Sequence, residues 1–405
     1  MEIDSGTDHK EFQSQVRRWI GEHAPKGLAQ MTDWSRLLAG KWWSYQEEMK
    51  TDEYKQWDKL MTQERLVCGH WPFRYGGRDL TTGQSAIIDQ ECLRANVPYV
   101  FREQGEAWVG SAILQHGTEE QKDYFLPRIV DGTDRYCQGF SEPDHGSDLA
   151  ALETKGVIEG DFIYITGQKI WTTAGTHANR VFVLCRTDPD KSLRHRGISF
   201  VIVDVEENAD TLEFRPIKQL TGESEFCETF LDGAKAPLDY IIGGVNNGWK
   251  VAMTTLDNER VGRAAAARNS VFAKNFRELV QVAQERGRTG DPEIRRQMVD
   301  LYSTLQALHQ WAVPGAKGVH GSVEKLVSSV WSQQFGALAM AVLGESAGIR
   351  PEGPGIESTG GDFHLNRWQL AYFQSLSSTI ASGSSEIQRN VVAERVLELP
   401  REARG

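Results

Sequence analysis

Cysteine is scarce in this chain and poorly spaced for pairing. The five cysteines (Cys68, Cys92, Cys137, Cys185 and Cys227) include no Cys-x-x-Cys pair. No disulfide framework or zinc cluster is expected, and buried free thiols in a reducing compartment are. The ten histidines form no His-Glu-x-x-His or similar cluster, so nothing supports a catalytic metal. Positive charge is also short. A net charge of -11 speaks against nucleic acid as a partner, because phosphate backbones need a basic surface. A phosphorylated cofactor stays open, since it needs only a few local donors. No apolar run approaches the roughly 20 residues of a membrane span, so no membrane partner is expected. The acidic start, Met-Glu-Ile-Asp-Ser-Gly-Thr-Asp, lacks an apolar signal core, which points to the cytoplasm.

What is present is a chain of 405 residues with a 40% hydrophobic and 25% charged composition, too long for one core and suited to two or three domains. Phe12, Val16 and Ile20 recur every four positions and predict a helix over His9 to His23, ending before Pro25. Further helices are predicted at Ser44–Val67, Thr82–Ala95 and Thr118–Val130, where Thr118 suits a cap and Glu119 and Glu120 the positive end of the dipole. Near Arg135 the period changes. Phe162–Ile165, Val181–Cys185, Ile198–Val203 and Glu225–Leu231 read as short strands between turns. From Gly248 one long helical pattern runs to Glu285. Others follow at Pro292–Ala312, Ser322–Leu343, Phe363–Ile380 and Ser385–Leu397, with a Gly/Pro-rich segment over Gly348–Gly361 expected to be mobile. The order is helical, then β, then helical. It gives an α+β chain with an all-helical domain over 1–133, a β barrel or sandwich over 134–242 and a helical bundle over 243–405.

Three stretches carry the functional signal. Tyr136-Cys-Gln-Gly-Phe-Ser-Glu-Pro-Asp-His-Gly-Ser-Asp-Leu-Ala150 runs from a strand into a turn-rich segment that exposes backbone and hydroxyl donors, with Ser141 and Ser147 each offering one. Gly167-Gln-Lys-Ile-Trp-Thr-Thr-Ala-Gly175 follows, and Gly383-Ser-Ser-Glu-Ile-Gln-Arg-Asn390 lies near the C-terminus. In this order the three resemble the acyl-CoA dehydrogenase family of flavoproteins. The first matches a hydroxyl residue, Glu-Pro, two variable residues and Gly-Ser-Asp. The second matches Gly-x-Lys-x-Trp-x-Thr, and the third Gly-Thr/Ser-Ser-Glu-Ile-Gln-Arg. The resemblance reaches the closing Ala393-Glu-Arg-Val-Leu-Glu-Leu-Pro-Arg401. It implies a helical domain, a β domain and a C-terminal four-helix bundle, with FAD between them.

Dehydrogenation of an acyl thioester at Cα-Cβ needs a base for the α-proton and an acceptor for the β-hydride. The family uses a carboxylate and the flavin. Many members carry the base in a Tyr-Glu-Gly-Thr/Ser run. Here that run reads Ala381-Ser382-Gly383-Ser384, and Ser382 is too weak a base to substitute. The family's second location for the base lies on the first long helix of the C-terminal domain, where Leu256-Asp-Asn-Glu-Arg260 puts Glu259 on the matching position. Helical spacing sets Thr255, Leu256, Gly262 and Ala266 on its face. A glycine inside a helix costs about 1 kcal/mol relative to alanine, which is understandable if an acyl chain must pass beside Glu259. The plain alternative is an exposed glutamate pairing with Arg263 at i+4.

The resemblance further implies that Gln138, Phe140, Ser141, Trp171 and Thr173 line the flavin and that Ser147 faces the CoA arm or acyl chain. It puts Asp257 and Arg260 near the CoA or flavin, and the backbone N–H of Ser382 on the thioester oxygen. Ser384, Glu386 and Arg286 fall in FAD-binding motifs; Ser385 and Gln388 show a capping-box spacing at a helix start suited to a pyrophosphate. Trp171 read alone would be a core aromatic. Two motifs depart from the pattern. Arg-x-x-Phe-Gly-x-Pro appears as Arg286-Gly-Arg-Thr-Gly-Asp-Pro292, with Thr289 for the aromatic, and Gln-x-x-Gly-Gly is replaced by Ala341-Val-Leu-Gly-Glu345. Both serve the adenine half of FAD in the family. The implied activity is oxidation of an acyl-CoA or acyl-carrier-protein thioester, with a branched or bulky acyl group compatible with the base position. Electrons would pass to an electron-transferring flavoprotein, in a homotetramer or heterotetramer. The competing readings are a non-catalytic or half-site partner subunit and a flavin monooxygenase on the same fold.

Overall fold

The computed structural model describes residues 3–4, 6, 8–28, 51–102, 104–260, 263–311, 320–349, 356–357 and 364–400. These fall into two compact units, one holding the chain up to 218 and 224–259, the other 219–223 and 260 onward.

In the first unit, Asp8 caps helix α1 (His9–His23) by accepting the N–H groups of Lys10 and Glu11, and the helix buries Phe12, Val16, Trp19 and Ile20. Helix α2 covers Asp52–Gln63; the first residues of the helix expected from Ser44 lie outside the described residues. Helix α3 (Thr82–Arg94) opens with a capping box between Thr81 and Gln84. Thr118 and Gln121 form another ahead of α5 (Glu119–Val130). Between them the chain adopts a π-helical stretch, Gln104–Gly110, that continues into the short α4 (Ser111–His116). Glu91 on α3 receives Gln13 and Arg17 from α1 and Arg94 from its own helix. Burial pushes its carboxyl up, and these three donors outweigh that and hold it down at about 2.

The same unit contains an eight-stranded sheet. The strands are β1 (Tyr136–Gly139), β2 (Lys155–Glu159), β3 (Phe162–Thr173), β4 (Arg180–Arg186), β5 (Ile198–Asp204), β6 (Leu212–Ile217), β7 (Phe226–Pro237) and β8 (Ile241–Ile242). Their order is β6-β7-β3-β2-β4-β5-β8, and β1 lies parallel to β4 with Gln138 opposite Phe182. Cys137, Ile163, Ile165, Val181, Val183, Val201 and Val203 fill the core beneath it. All five cysteines are buried, and none forms a disulfide among the described residues. Helix α6 (Gly248–Arg260) starts hard against the sheet, for a Cβ on Gly248 would lie 2.3 Å from the Phe200 backbone nitrogen.

The second unit is a helical bundle of α7 (Arg263–Glu285), α8 (Pro292–Trp311), α9 (Gly321–Leu343) and α10 (Arg367–Ser375). Its core joins Phe276 and Leu279 to Leu301, Leu305, Trp331, Phe335, Leu338 and Trp368. By length and composition α9 passes for a membrane span, against the sequence expectation. Half of that stretch is buried in this core, the setting of an internal helix. The long helix expected over 248–285 is described as α6 and α7, with Val261 and Gly262 outside the described residues. The helix expected to reach Ile380 stops at Ser375. There the hydroxyls of Ser375, Ser377 and Ser378 bond backbone carbonyls three residues back and draw the chain into turns. The last helix, α11, covers only Ser385–Val391 before a π-helical turn. A two-residue hairpin pairs Ile356–Glu357 with His364–Leu365, and the rest of the Gly/Pro-rich segment from residue 350 lies outside the described residues.

Candidate active site

The first two motif stretches lie side by side. Lys169 on β3 reaches back into the loop after β1. There its Nζ donates to the Phe140 carbonyl at 3.1 Å and to the Glu142 carboxylate at 2.9 Å. Glu142 also accepts the N–H groups of Glu153 at 2.7 Å and Thr154 at 2.8 Å. The Ile170 N–H donates to the Ser141 carbonyl. Lys169 is 0% exposed and Glu142 6%, so each charge depends on the other. Burial pushes the Glu142 carboxyl up, and Lys169 with the two backbone donors overrides it and holds it low. Burial pulls the Lys169 ammonium down against the pull of Glu142. Gly167 allows the close approach of this loop: a Cβ there would sit 2.5 Å from Thr154 Oγ1.

This clamp precedes a bulge. Between Lys169 and Thr172 the register of β3 against β7 slips, and Trp171 takes a left-handed backbone conformation with φ of 62°. A bulky residue rarely adopts that region. The result is that Thr172 points inward, fully buried and accepting from Thr229 at 2.8 Å, while the Trp171 ring stands 56% exposed. A core position for Trp171 is thus ruled out. Bulges beside active sites commonly re-aim a side chain in this way.

In the same motifs Ser141 and Thr173 are half-buried, and Gln138 on β1 presents a buried Nε2 with no hydrogen-bonding partner among the described residues. Phe140 differs. Its ring is buried and packs edge-on to Phe182 and Phe200, so only its backbone is available to a ligand. Ser147 is exposed. An exposed aromatic face, hydroxyls and an unmet buried donor fit a flat ring edged with acceptors, as an isoalloxazine is.

Helix α6 belongs to the same unit and is tied down by His116 Nε2, 2.8 Å from Thr254 Oγ1. Thr255 is buried and Asp257 exposed. Glu259 and Arg260 fall on its last turn, and their side chains lie outside the described residues.

In the second unit, Ser382 takes φ of 57° and Gly383 follows at 85°. The Gln388 amide, buried, fixes this turn by donating to the Ser382 carbonyl at 3.0 Å. Ser384 is the N-cap of α11, its Oγ accepting the Ile387 N–H. The expected Ser385/Gln388 capping box therefore does not form, because the helix begins one residue earlier in register and Gln388 is spent on the turn. Glu386 is exposed; its own backbone N–H and the Ser384 hydroxyl hold its carboxyl low. Arg286 donates to the Leu343 carbonyl and to Ser346 Oγ, and Arg288 to the Ala341 carbonyl. The two departed adenine-side motifs thus meet, with both arginines engaged at the end of α9.

Sequence reasoning gave no role to Glu142, Lys169 or Gln104, whose Nε2 donates to the Thr173 carbonyl at 3.3 Å. Opposite charges inside the two β-domain motifs were a usable signal for the first pair. Nothing marked Gln104.

Comparison with known proteins agrees with this geometry. Residues 6–133, 137–234 and 246–397 match the N-terminal, middle and C-terminal domains of acyl-CoA dehydrogenases. The chain is 36% identical over 404 residues to the acyl-CoA dehydrogenase IpdE1 of Mycobacterium tuberculosis, covering 98% of this chain and 100% of that one. It is 36% identical over 348 residues to FadE34 of the same organism, covering 83% of this chain and 45% of that one. Among solved structures, the Tcur3481-Tcur3483 steroid ACAD superposes with a TM-score of 0.77 at 26% identity, over 99% of this chain and 100% of that one. The ChsE4-ChsE5 complex of Mycobacterium tuberculosis gives 0.73 at 27%, over 99% and 100%. The chain belongs to the acyl-CoA dehydrogenase family, oxidoreductases that act on CH-CH groups.

Proposed function

We propose that this chain removes hydrogen across the Cα-Cβ bond of a bulky or branched acyl thioester, on acyl-CoA or an acyl-carrier protein, with Glu259 as the α-proton base. One observation carries the reading: the Glu142–Lys169 clamp and the bulge it precedes hold Trp171 outward, while Gln138 on β1 keeps an unmet amide donor. FAD, when bound, supplies the acceptor for the β-hydride. Gln138, Ser141, Trp171 and Thr173 hold its ring, with the Phe140 backbone beside them.

Glu259 takes the proton. The sequence has Ser382 where many relatives carry the base, and α6 brings the matching helix position into the unit that bears the ring-holding residues. Desolvation by the acyl group raises the carboxyl toward neutrality and lets it release the proton afterwards. The Ser382 backbone N–H stabilises the developing enolate oxygen, and its constrained turn suits a donor that must not reorganise. Ser147 serves the CoA arm or acyl chain, Asp257 and Arg260 the CoA or flavin region, and Ser384 and Glu386 the cofactor. The steroid substrate named for one structural relative supports the bulky acyl group. Transfer of electrons to an electron-transferring flavoprotein, a cytoplasmic setting and the partition into domains 1–133, 134–242 and 243–405 complete the proposal.

A second reading is favoured by Arg286 and Arg288. Both donate to carbonyls of their own chain, so the adenine half of FAD depends on a neighbouring subunit. The two-chain names of the structural relatives support an unequal pair. Recording the visible spectrum of the purified chain, with and without acyl-CoA under anaerobic conditions, tests both. Flavin absorbance that acyl-CoA bleaches is expected. A colourless chain that gains flavin only with a partner supports the second reading, and flavin that only oxygen and a reductant affect supports a monooxygenase.

A further inference from the structure

The π-helical stretch Gln104–Gly110 is polar where a helix packed on a sheet is usually apolar. Gly105 lies so close that a Cβ there would be 3.1 Å from Ile129 and 3.5 Å from the Tyr136 ring. Glu106 is fully buried, with His70 Nδ1 3.6 Å from its Oε1. Gln104 is 4% exposed, and its Nε2 donates to the Thr173 carbonyl. A carbonyl only accepts, so the amide orientation is forced and Oε1 is left as an acceptor. That oxygen is buried and has no hydrogen-bonding partner among the described residues. An unmet buried acceptor is destabilising, whereas an apolar side chain of the same length would leave no such group. Stretches of this helical type recur at functional sites.

The position of this acceptor identifies its ligand. Thr173 closes the strand that bears Trp171, so Gln104 borders the ring-holding residues without belonging to their motifs. Gln138, Ser141 and Thr173 already provide for the ring. From the unmet oxygen, with the Glu106 carboxylate on the same stretch, we infer that Gln104 is a specificity-determining residue that selects acyl groups bearing a hydroxyl. A site built to accept a substrate hydroxyl discriminates against the analogue that lacks it, because the buried acceptor is then left unpaired.

The inference rests on the dehydrogenase reading, and its test separates the two. Flavin reduction is followed in the FAD-loaded protein, together with any partner it needs, using cyclohexanecarbonyl-CoA and its 3- and 4-hydroxy derivatives. Wild type is expected to favour a hydroxylated substrate. Gln104→Met is expected to lower the ratio of kcat/KM, hydroxylated over plain, by about tenfold. Gln104→Glu keeps an acceptor while its protonated oxygen serves Thr173, and is expected to retain most of the preference; it also answers the case in which the methionine variant fails to fold. An unchanged ratio in Gln104→Met overturns the inference. So does an equal loss on every substrate with a shifted flavin absorption band, which would make the ring the source of the donor. If no acyl-CoA reduces the wild-type flavin, the dehydrogenase reading itself falls, and this inference with it.

Discussion

The two ends of the implied cofactor are treated differently by this chain. At the ring end the motifs are kept, and their side chains are arranged toward a ligand: Trp171 is exposed on a strained bulge and the Gln138 amide is unmet. At the adenine end the motifs are rewritten: Arg286 bonds Leu343 and Ser346, and Arg288 bonds Ala341 while its buried Nε has no hydrogen-bonding partner among the described residues. Strain and unmet polar groups persist only where something offsets them, which supports the proposal that this chain works at the ring end.

The comparison breaks most severely at the clamp. Lys169→Met leaves the Glu142 carboxylate buried without its partner, and a loss of about 3–5 kcal/mol is expected. Urea unfolding reads it, and retention of full stability would show that the ion pair does not hold the ring end. Acid should act next, on a bond outside both ends. The Glu91 carboxyl lies at about 2 against an ordinary 4.5. Because the folded value is the lower one, its contribution is complete above pH 4.5 and disappears as pH falls through that window. Thermal melts from pH 5 to pH 2 should therefore fall more steeply in wild type than in Glu91→Gln. Parallel slopes would remove Glu91 from the account.

Trp171→Gly is expected to stabilise the cofactor-free protein by about 1 kcal/mol through relief of the left-handed strain, while weakening FAD binding several-fold. Both changes going the same way would mean that the bulge is there for packing alone. The smallest effect belongs to Arg286→Ala. Loss of two hydrogen bonds at the end of α9 should cost about 1 kcal/mol and leave flavin content as it was; release of FAD would restore the adenine role to this residue.

Helices with a clean apolar face and a good cap were legible to within a residue. His9–His23 is found where its periodicity puts it, and Glu119–Val130 where its Thr118 cap puts it. Strand β2 was not, because Lys155–Glu159 buries only Gly156 and offers no alternation to read. The end of α10 was missed because serine hydroxyls, not apolar spacing, decide it. The site was legible as motifs but not as geometry. The exposure of Trp171 depends on a one-residue slip against β7, and Glu142 meets Lys169 from 27 positions away. Gln104 was invisible because a π-helical stretch does not follow the 3.6-residue period.

The claim that this chain works at the ring end is tested most directly by rapid-reaction flavin reduction in Glu259→Gln. The variant is expected to keep bound FAD and its visible spectrum while reduction by acyl-CoA falls about 10²- to 10⁴-fold. Wild-type reduction rates in that variant would contradict the account.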